Sequence, residues 1–507
     1  MVSPILVVLA VAILILKCYK YMVARPKGFP PGPPKIPVFG TYLFLMFLNY
    51  KFLHKASITF SKWYKSKIIG FYLGDAPTVV VHDEQAIKKV LNSQIFEGRP
   101  DGFVIRMREL NFKHNGIFFN EGPQLIESRR FILRNLRDYG FGRRFDELEA
   151  VMADNVQDFV DLIKEGPKFS YEGKYVQNGK LLSPYIFAPT VLSTFIHILT
   201  NERLTREEQA EIYEMCDYSH KSVRNGDDYG KILGNIPWLR HIAPNMSGYK
   251  PLRESFKAFR KFSEKLYKKY DENYDPDNMR NFMDILNNEM KANETVFERD
   301  HVLMSLVDFL IPPSSTVSAQ LGFLFNWMLN KPEIYQRMQS EIDEVVGSGR
   351  LPSLDDRVNL PYVEAVNREM LRIETVVPSS VPHKALEDTE LDGFSIPKGT
   401  VVIPGLYASN SSKKLWGDPE NFRPERFLNE NGNLDLSKDY GLSFGAGRRN
   451  CAGETFSRNI MFLMIAAFCQ NFDIVLGPGQ KAPDLKNHHV PGVILTPKDF
   501  WLHVRNR

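Results

Sequence analysis

Cys451 stands among three glycines in FGAGRRNCAG, Phe444 to Gly453, with Arg448 and Arg449 just ahead of it and a helical pattern directly behind it. Glycine permits positive φ and lets backbone lie close to a flat group. A cysteine at a helix start beside two guanidinium groups has its thiolate favoured by the dipole and by charge, as an iron-ligating sulfur requires. A lone cysteine also serves as a buried structural thiol, and the glycine pattern alone does not separate the two. Cys18, Cys216 and Cys469 lie far apart with no CxxC, which argues against a disulfide framework or a zinc site and reads as a reducing setting.

A second group of candidates lies in Ile311-Pro312-Pro313-Ser314-Ser315-Thr316, inside an otherwise apolar helical run. Each proline within a helix removes one i to i−4 hydrogen bond and presses its ring on a carbonyl, at about 3 kcal/mol or more. The carbonyls freed near residues 308 and 309, with the hydroxyls of Ser315 and Thr316, could hold a water that relays protons. Glu369 and Arg372 in EMLR share a helix face at i, i+3, a spacing equally common on solvated surfaces. Arg129, Arg130, Arg134 and Arg137 make SRRFILRNLRDYGFG strongly basic, which reads first as a solvated face.

The elements that must position these residues are mostly helices. Periodic patterns cover Arg130 to Asp138, Glu147 to Lys164, Pro184 to Leu199, Arg206 to Ser219, Pro251 to Tyr270, Asn281 to Lys291, His301 to Leu329, Pro332 to Val346, Tyr362 to Thr375 and Glu454 to Phe472. KIIGFYLG and TVVVHD, joined across Asp75, Ala76 and Pro77, predict a hairpin, followed by a short helix at Glu84 to Leu91. An extended segment with two turns runs from Leu386 to Pro404. The fold class is therefore mainly α with small β-sheets at both ends, in one large domain over residues 41–507.

Residues 1–16 carry no charged side chain and would span roughly 24 Å as a helix, slightly short of a hydrocarbon core. Lys17 and Lys20 could snorkel, and Tyr19 and Tyr21 could sit in the interface. The charges follow the apolar run and no small-residue cleavage site closes it. An uncleaved membrane anchor over residues 1–24 is therefore expected, with everything downstream on the cytosolic side. Residues 25–40, rich in proline and basic, predict a stiff spacer. With 43% hydrophobic and 24% charged residues the chain is neither disordered nor a multi-span membrane protein, and a net charge of +4 gives no reason to expect nucleic acid as a partner.

Phe444, Gly447, Arg449, Cys451 and Gly453 match Phe-x-x-Gly-x-Arg-x-Cys-x-Gly, and the segment so resembles the haem-binding signature of the cytochrome P-450 superfamily. The resemblance covers essentially the whole chain. RRFILRNLRDYGFG and the GRP turn at Gly98 to Pro100 look most like the microsomal clan that includes mammalian drug-metabolising and arthropod hormone-metabolising members. It implies the cytochrome P-450 fold around one haem b, with Cys451 as the axial thiolate to iron. Glu369 and Arg372, with Arg426 in FRPERF, would form a structural charge network that locks the cysteine segment. Arg129, His383 and Arg449 would contact the haem propionates, and the other arginines of the basic helix would dock an acidic electron donor. Leu125 stands where the family often has Trp, a loss of one hydrogen bond worth about 0.5–1.5 kcal/mol.

The run His301 to Leu329 resembles the family's distal helix, which crosses the oxygen-binding face. It keeps the alcohol as Thr316, has Ser315 in place of an acid, and carries Pro312 and Pro313 in place of a small residue and glycine. The prolines would exaggerate a bend already present there, and slower or more peroxide-leaking turnover is expected. The implied activity is a monooxygenase at the endoplasmic reticulum membrane. It would insert one atom of O2 into a lipophilic substrate, a hormone-like terpenoid, a sterol or a xenobiotic, with electrons from NADPH through a membrane-bound flavoprotein reductase. A reductase-independent isomerase or dehydratase acting on a peroxide, and a non-catalytic haem-binding protein, are the other readings. The pocket is expected to draw on Phe103 to Phe118, Phe309 to Thr316, Val377 to Val381 and Val490 to Ile494, mostly apolar.

Overall fold

The apolar run around Pro312 becomes the spine of the protein. In the computed structural model, which describes residues 4–109, 115–227, 229 and 232–507, a long helix occupies Arg299–Asn330. It is long and apolar enough to cross a membrane, yet 78% of its most apolar stretch is buried in the protein, which makes it a core helix. The helices Asp146–Glu165, Ala188–Thr200 and Glu454–Asn471 pack with it in the main hydrophobic core.

Pro312 and Pro313 do not break this helix. Both keep helical backbone angles, with φ of −63° and −56°, and the chain widens into a π-helical turn over Pro313–Val317 before resuming as α at Ser318. A wider turn absorbs the missing N–H donors without interrupting the axis. Other predicted helices are present with shifted ends. The basic helix is Pro123–Asp138, opened by Gly122 at φ +88° with proline in its first turn, and so it includes Arg129. Tyr42–Asn49 and Leu53–Trp63 are helices that the sequence reading did not anticipate, because aromatic residues blur their periodicity.

The sheet that reaches the site has the strand order Ile68–Leu73, Ala76–Val81, Val401–Pro404, His383–Lys384. The hairpin turn falls at Gly74 and Asp75, so Ala76 and Pro77 belong to the strand, opposite Leu73 and Tyr72. Gly74, at φ +61°, supplies the left-handed residue that the tight turn needs. Val402 pairs with Val79 in parallel and with His383 antiparallel, which fixes His383 at the sheet edge. A second sheet joins Val176–Gln177, Lys180–Ser183, Phe500–Asn506 and Phe472–Val475, so strands are not confined to the two ends.

Near the N-terminus, Pro4–Val23 is a helix with Ile5, Val8, Leu14 and Ile15 exposed; residues 1–3 of the expected anchor lie outside the described residues. Residues 25–40 are not a free-standing spacer. Arg25 donates to the Pro30 and Gly70 carbonyls at 3.1 Å each, and the Gly70 N–H donates to Pro31 O at 2.9 Å. A Cβ on Gly32 would come within 2.1 Å of Gly70 O. Proline denies this stretch a helix but leaves its carbonyls free as acceptors, and Arg25 and the hairpin use them.

Candidate active site

The cysteine segment folds back on itself. The Cys451 N–H donates to Phe444 O at 2.8 Å, and Gly445 and Gly447 turn the chain at φ of +73° and +68°. Gly447 also lies against the helix Glu84–Asn92, where a Cβ would come within 2.1 Å of Leu91 O. Gly453 has no such constraint from protein atoms: a Cβ there would meet Phe141 at an ordinary 3.4 Å. The Arg458 guanidinium lies 4.7 Å over the Phe444 ring. Cys451 is exposed to a cavity of about 250 Å³, which it lines together with Phe444, Gly453 and Thr316.

Burial pushes the Cys451 thiol above its usual range, while the Gly453 N–H and the charges of Arg129 and Arg458 pull the other way. Arg448 and Arg449, expected to favour the thiolate, do not face it. Arg448 is exposed and 3.7 Å from Glu97, and Arg449 donates to Glu97 O at 3.1 Å and Asn120 O at 2.9 Å. The short helical turn Gly447–Arg449 sends both side chains to the cavity rim and beyond it.

Along that rim stand Arg129, His383, Arg449 and an arginine that the sequence reading passed over, Arg99. Arg129 donates to Asn450 O at 3.1 Å, Arg99 to Pro382 O at 3.1 Å, and His383 Nδ1 lies 2.6 Å from Phe96 O. The Lys384 N–H donates to Gly98 O at 2.8 Å, so the GRP turn is held against the strand that carries His383. Burial pulls all three guanidinium groups below their usual range, and like charges add to this at Arg99 and Arg449. His383 falls to about 3, from burial first and Arg99 second, and is neutral at pH 7. Arg99 Nε and Arg449 Nη1 are buried with no hydrogen-bond partner among the described residues. Such a rim is suited to an anion with several oxygens, and the two propionates of a haem fit it.

The charge network is present and fully buried. Arg372 grips Glu369 with two 2.7 Å hydrogen bonds and donates to Asn410 O and Pro419 O at 2.9 Å. Arg426 reaches Glu369 at 3.2 Å and bonds the carbonyls of Trp416 and Asp418. It therefore locks residues 410–426, and the cysteine segment is tied in separately by Ser443 Oγ donating to Leu371 O at 2.9 Å.

In the distal helix, hydroxyls bond the carbonyls around the π turn. Ser315 Oγ donates to Ile311 O at 2.9 Å, Thr316 Oγ1 to Pro312 O at 2.8 Å, and Ser219 Oγ to Ile311 O at 3.0 Å. These hydroxyls bond the carbonyls at 311 and 312 and not those at 308 and 309, whose i+4 partners are the two prolines. A second cavity, of about 340 Å³, adjoins the first and shares Phe118, Thr316 and Val381 with it. It draws on the expected stretches through Val104, Ile311, Val377 and Ile494; residues 110–114 of the Phe103 to Phe118 stretch lie outside the described residues. Val223, Leu252, Phe256 and Ile403 were not anticipated.

One charged pair borders this apolar space. Arg108 and Asp308 form a buried ion pair, and the other Asp308 oxygen accepts the Ile117 and Phe118 N–H groups at 2.9 Å each. Burial raises the Asp308 carboxyl above its usual range, against the pull of Arg108.

A family profile described as Cytochrome P450 matches residues 30–504. The chain is 30% identical over 498 residues to farnesoate epoxidase of Bombyx mori, covering 97% of each chain. It is 32% identical over 475 residues to cytochrome P450 2E1 of Oryctolagus cuniculus, covering 91% of this chain and 90% of that one. With probable cytochrome P450 303a1 of Drosophila melanogaster it shares 33% over 477 residues, covering 90% of this chain and 91% of the relative. The chain belongs to the cytochrome P450 family: it is a monooxygenase of the oxidoreductase class, with the helix-rich fold of that family and haem, its iron held by a cysteine thiolate, as cofactor.

Proposed function

We propose that Cys451 ligates the haem iron, that Arg99, Arg129, His383 and Arg449 hold the propionates, and that the substrate is a small lipophilic molecule in the larger cavity. The observation that carries this reading is the continuity of the two cavities, with the cysteine at the floor of one, apolar walls in the other and Thr316 between them. When bound, haem would supply the oxygen-activating chemistry, which a cysteine thiolate ligand favours. The apolar walls keep water out and orient the substrate by shape. Thr316 holds a proton at Oγ1 where the cavities meet and Ser315 one at Oγ in the larger cavity; with Ser315 in place of an acid, proton delivery is slow and some reducing equivalents end as peroxide.

Electrons come from NADPH through a membrane-bound flavoprotein reductase. Arg130, Arg134 and Arg137 are exposed on the basic helix while Arg129 turns inward, which supports this face as the reductase dock. The exposed apolar helix Pro4–Val23, with Lys17 and Lys20 toward its end and Arg25 and Lys27 beyond it, supports an anchor in the endoplasmic reticulum membrane with residues 41–507 as the cytosolic catalytic domain. The name of the silkworm relative supports starting the substrate search with terpenoids. Among the described residues that line the cavities, none favours a peroxide isomerase or a non-catalytic haem protein.

The test is reconstitution in vesicles with reductase, NADPH and isotopically heavy O2, against terpenoids, sterols and foreign lipophiles first ranked by haem difference spectroscopy. The proposal expects product with one heavy oxygen atom, dependent on both reductase and NADPH. Product formed from a hydroperoxide without NADPH, and none with it, would overturn it.

A further inference from the structure

Three side chains that the proposed chemistry does not use converge in the interior, one of them, Glu374, at the wall of the cysteine cavity. Glu374, just past the end of the helix Pro361–Ile373, has Oε2 2.6 Å from His489 Nε2 and Oε1 3.0 Å from His488 Nε2. The imidazole planes of His488 and His489 stand at 81° to each other with centroids 4.4 Å apart, so both Nε2 atoms turn toward one carboxylate. His488 is 2% exposed, and its Nε2, although close to Oε1, is off the line of a hydrogen bond and has no such partner among the described residues. A buried imidazole nitrogen without a hydrogen bond, this close to a carboxylate, is placed to ligate a third atom. One ligand atom from each residue lies within 4.8 Å of the others.

We propose that Glu374, His488 and His489 bind a zinc-class divalent cation through the carboxylate and the two Nε2 atoms. The cysteine spacing argued against a zinc site built on thiolates; this one needs none. Two imidazoles and one carboxylate suit zinc and its late first-row neighbours and disfavour magnesium and calcium. Zinc bonds of roughly 2.0–2.1 Å set tetrahedral ligands about 3.3 Å apart, so the present contacts open by about half an ångström on binding. His489 can give that movement, since its side chain is 18% exposed beside the exposed Lys486 and Asn487, which is also the route in for the ion. Outer contacts already orient the ligands: Trp327 Nε1 donates to Glu374 Oε1 at 2.7 Å, and the Asn326 amide is 3.5 Å from His488 Nδ1.

The test uses tag-free, full-length protein with its haem, stripped of loose metal by chelator and titrated with zinc chloride by calorimetry, then examined by zinc-edge X-ray absorption. The proposal expects one zinc per haem with nitrogen and oxygen neighbours only, and at least a hundredfold weaker uptake in His488→Gln/His489→Gln. The thiolate-type spectrum of the reduced carbonyl complex reports that the variant is folded. If that double variant fails to hold haem, His489→Gln alone, at a half-buried position, should weaken zinc at least tenfold. Zinc uptake no greater than in the variants, or sulfur neighbours at the zinc edge, would overturn the proposal.

Discussion

Replacing Asp308 by asparagine removes one charge and keeps the shape, which makes it a measurable probe of the buried pair at the substrate cavity. Asp308 and Arg108 are 5% and 7% exposed, and the carboxylate also accepts two backbone N–H groups at 2.9 Å. In Asp308→Asn the Arg108 charge stays buried without compensation, for which breaking a buried pair costs about 3–5 kcal/mol. Unfolding entropy of about 2.1 cal/mol/K per residue over roughly 480 folded residues is about 1 kcal/mol per degree, so the expected fall in Tm is about 3–5 °C. The assay is calorimetry of the holoenzyme at pH 7, with Arg108→Leu/Asp308→Leu as the second corner. The double variant, which buries no charge, should unfold above Asp308→Asn. A Tm for Asp308→Asn within 1 °C of wild type, or a double variant less stable than the single, would refute the argument that the pair is energetically closed.

Three further outcomes follow from the same geometry. His301 is wholly buried and held neutral, its pKa lowered to about 4 by burial. Its unfolded form binds a proton below about pH 6.5 while the folded form does not, so stability is full above that pH and falls as pH drops toward 4, at about 1.4 kcal/mol per unit; His301→Leu should flatten that slope in pH-dependent denaturation. In Gly447→Ala, the new Cβ meets Leu91 O and the residue must adopt positive φ, so haem content should fall and unfolding free energy should drop by about 1–3 kcal/mol, and a wild-type urea midpoint would contradict the packing. Arg99→Leu should speed haem transfer to apomyoglobin at least tenfold if the rim holds propionates, and an unchanged rate would remove Arg99 from it.

What could be seen in the sequence was what repeats at fixed local spacing. The Phe444 to Gly453 segment and the Glu369–Arg372 pair are contiguous patterns, and the distal run is long enough for its helix to survive two prolines. The rest depends on residues far apart in the chain. Arg99 acquires its place from the bond between Gly98 and Lys384, and Arg108 from Asp308, two hundred positions on. Glu374 meets His488 and His489 only because the end of one helix and a two-residue strand fold together. Short strands such as Val176–Gln177 have too few residues to show a period of two, and Arg448 and Arg449 do not face the thiolate because a single helical turn, invisible in composition, rotates them off the cysteine.

The most direct test of the account is the spectrum of the reduced carbonyl complex of Cys451→His. With Cys451 as the iron ligand, the variant loses the thiolate signature entirely while its far-UV circular dichroism stays that of the wild type. A thiolate signature retained in Cys451→His would assign the ligand to another cysteine and contradict the site described here.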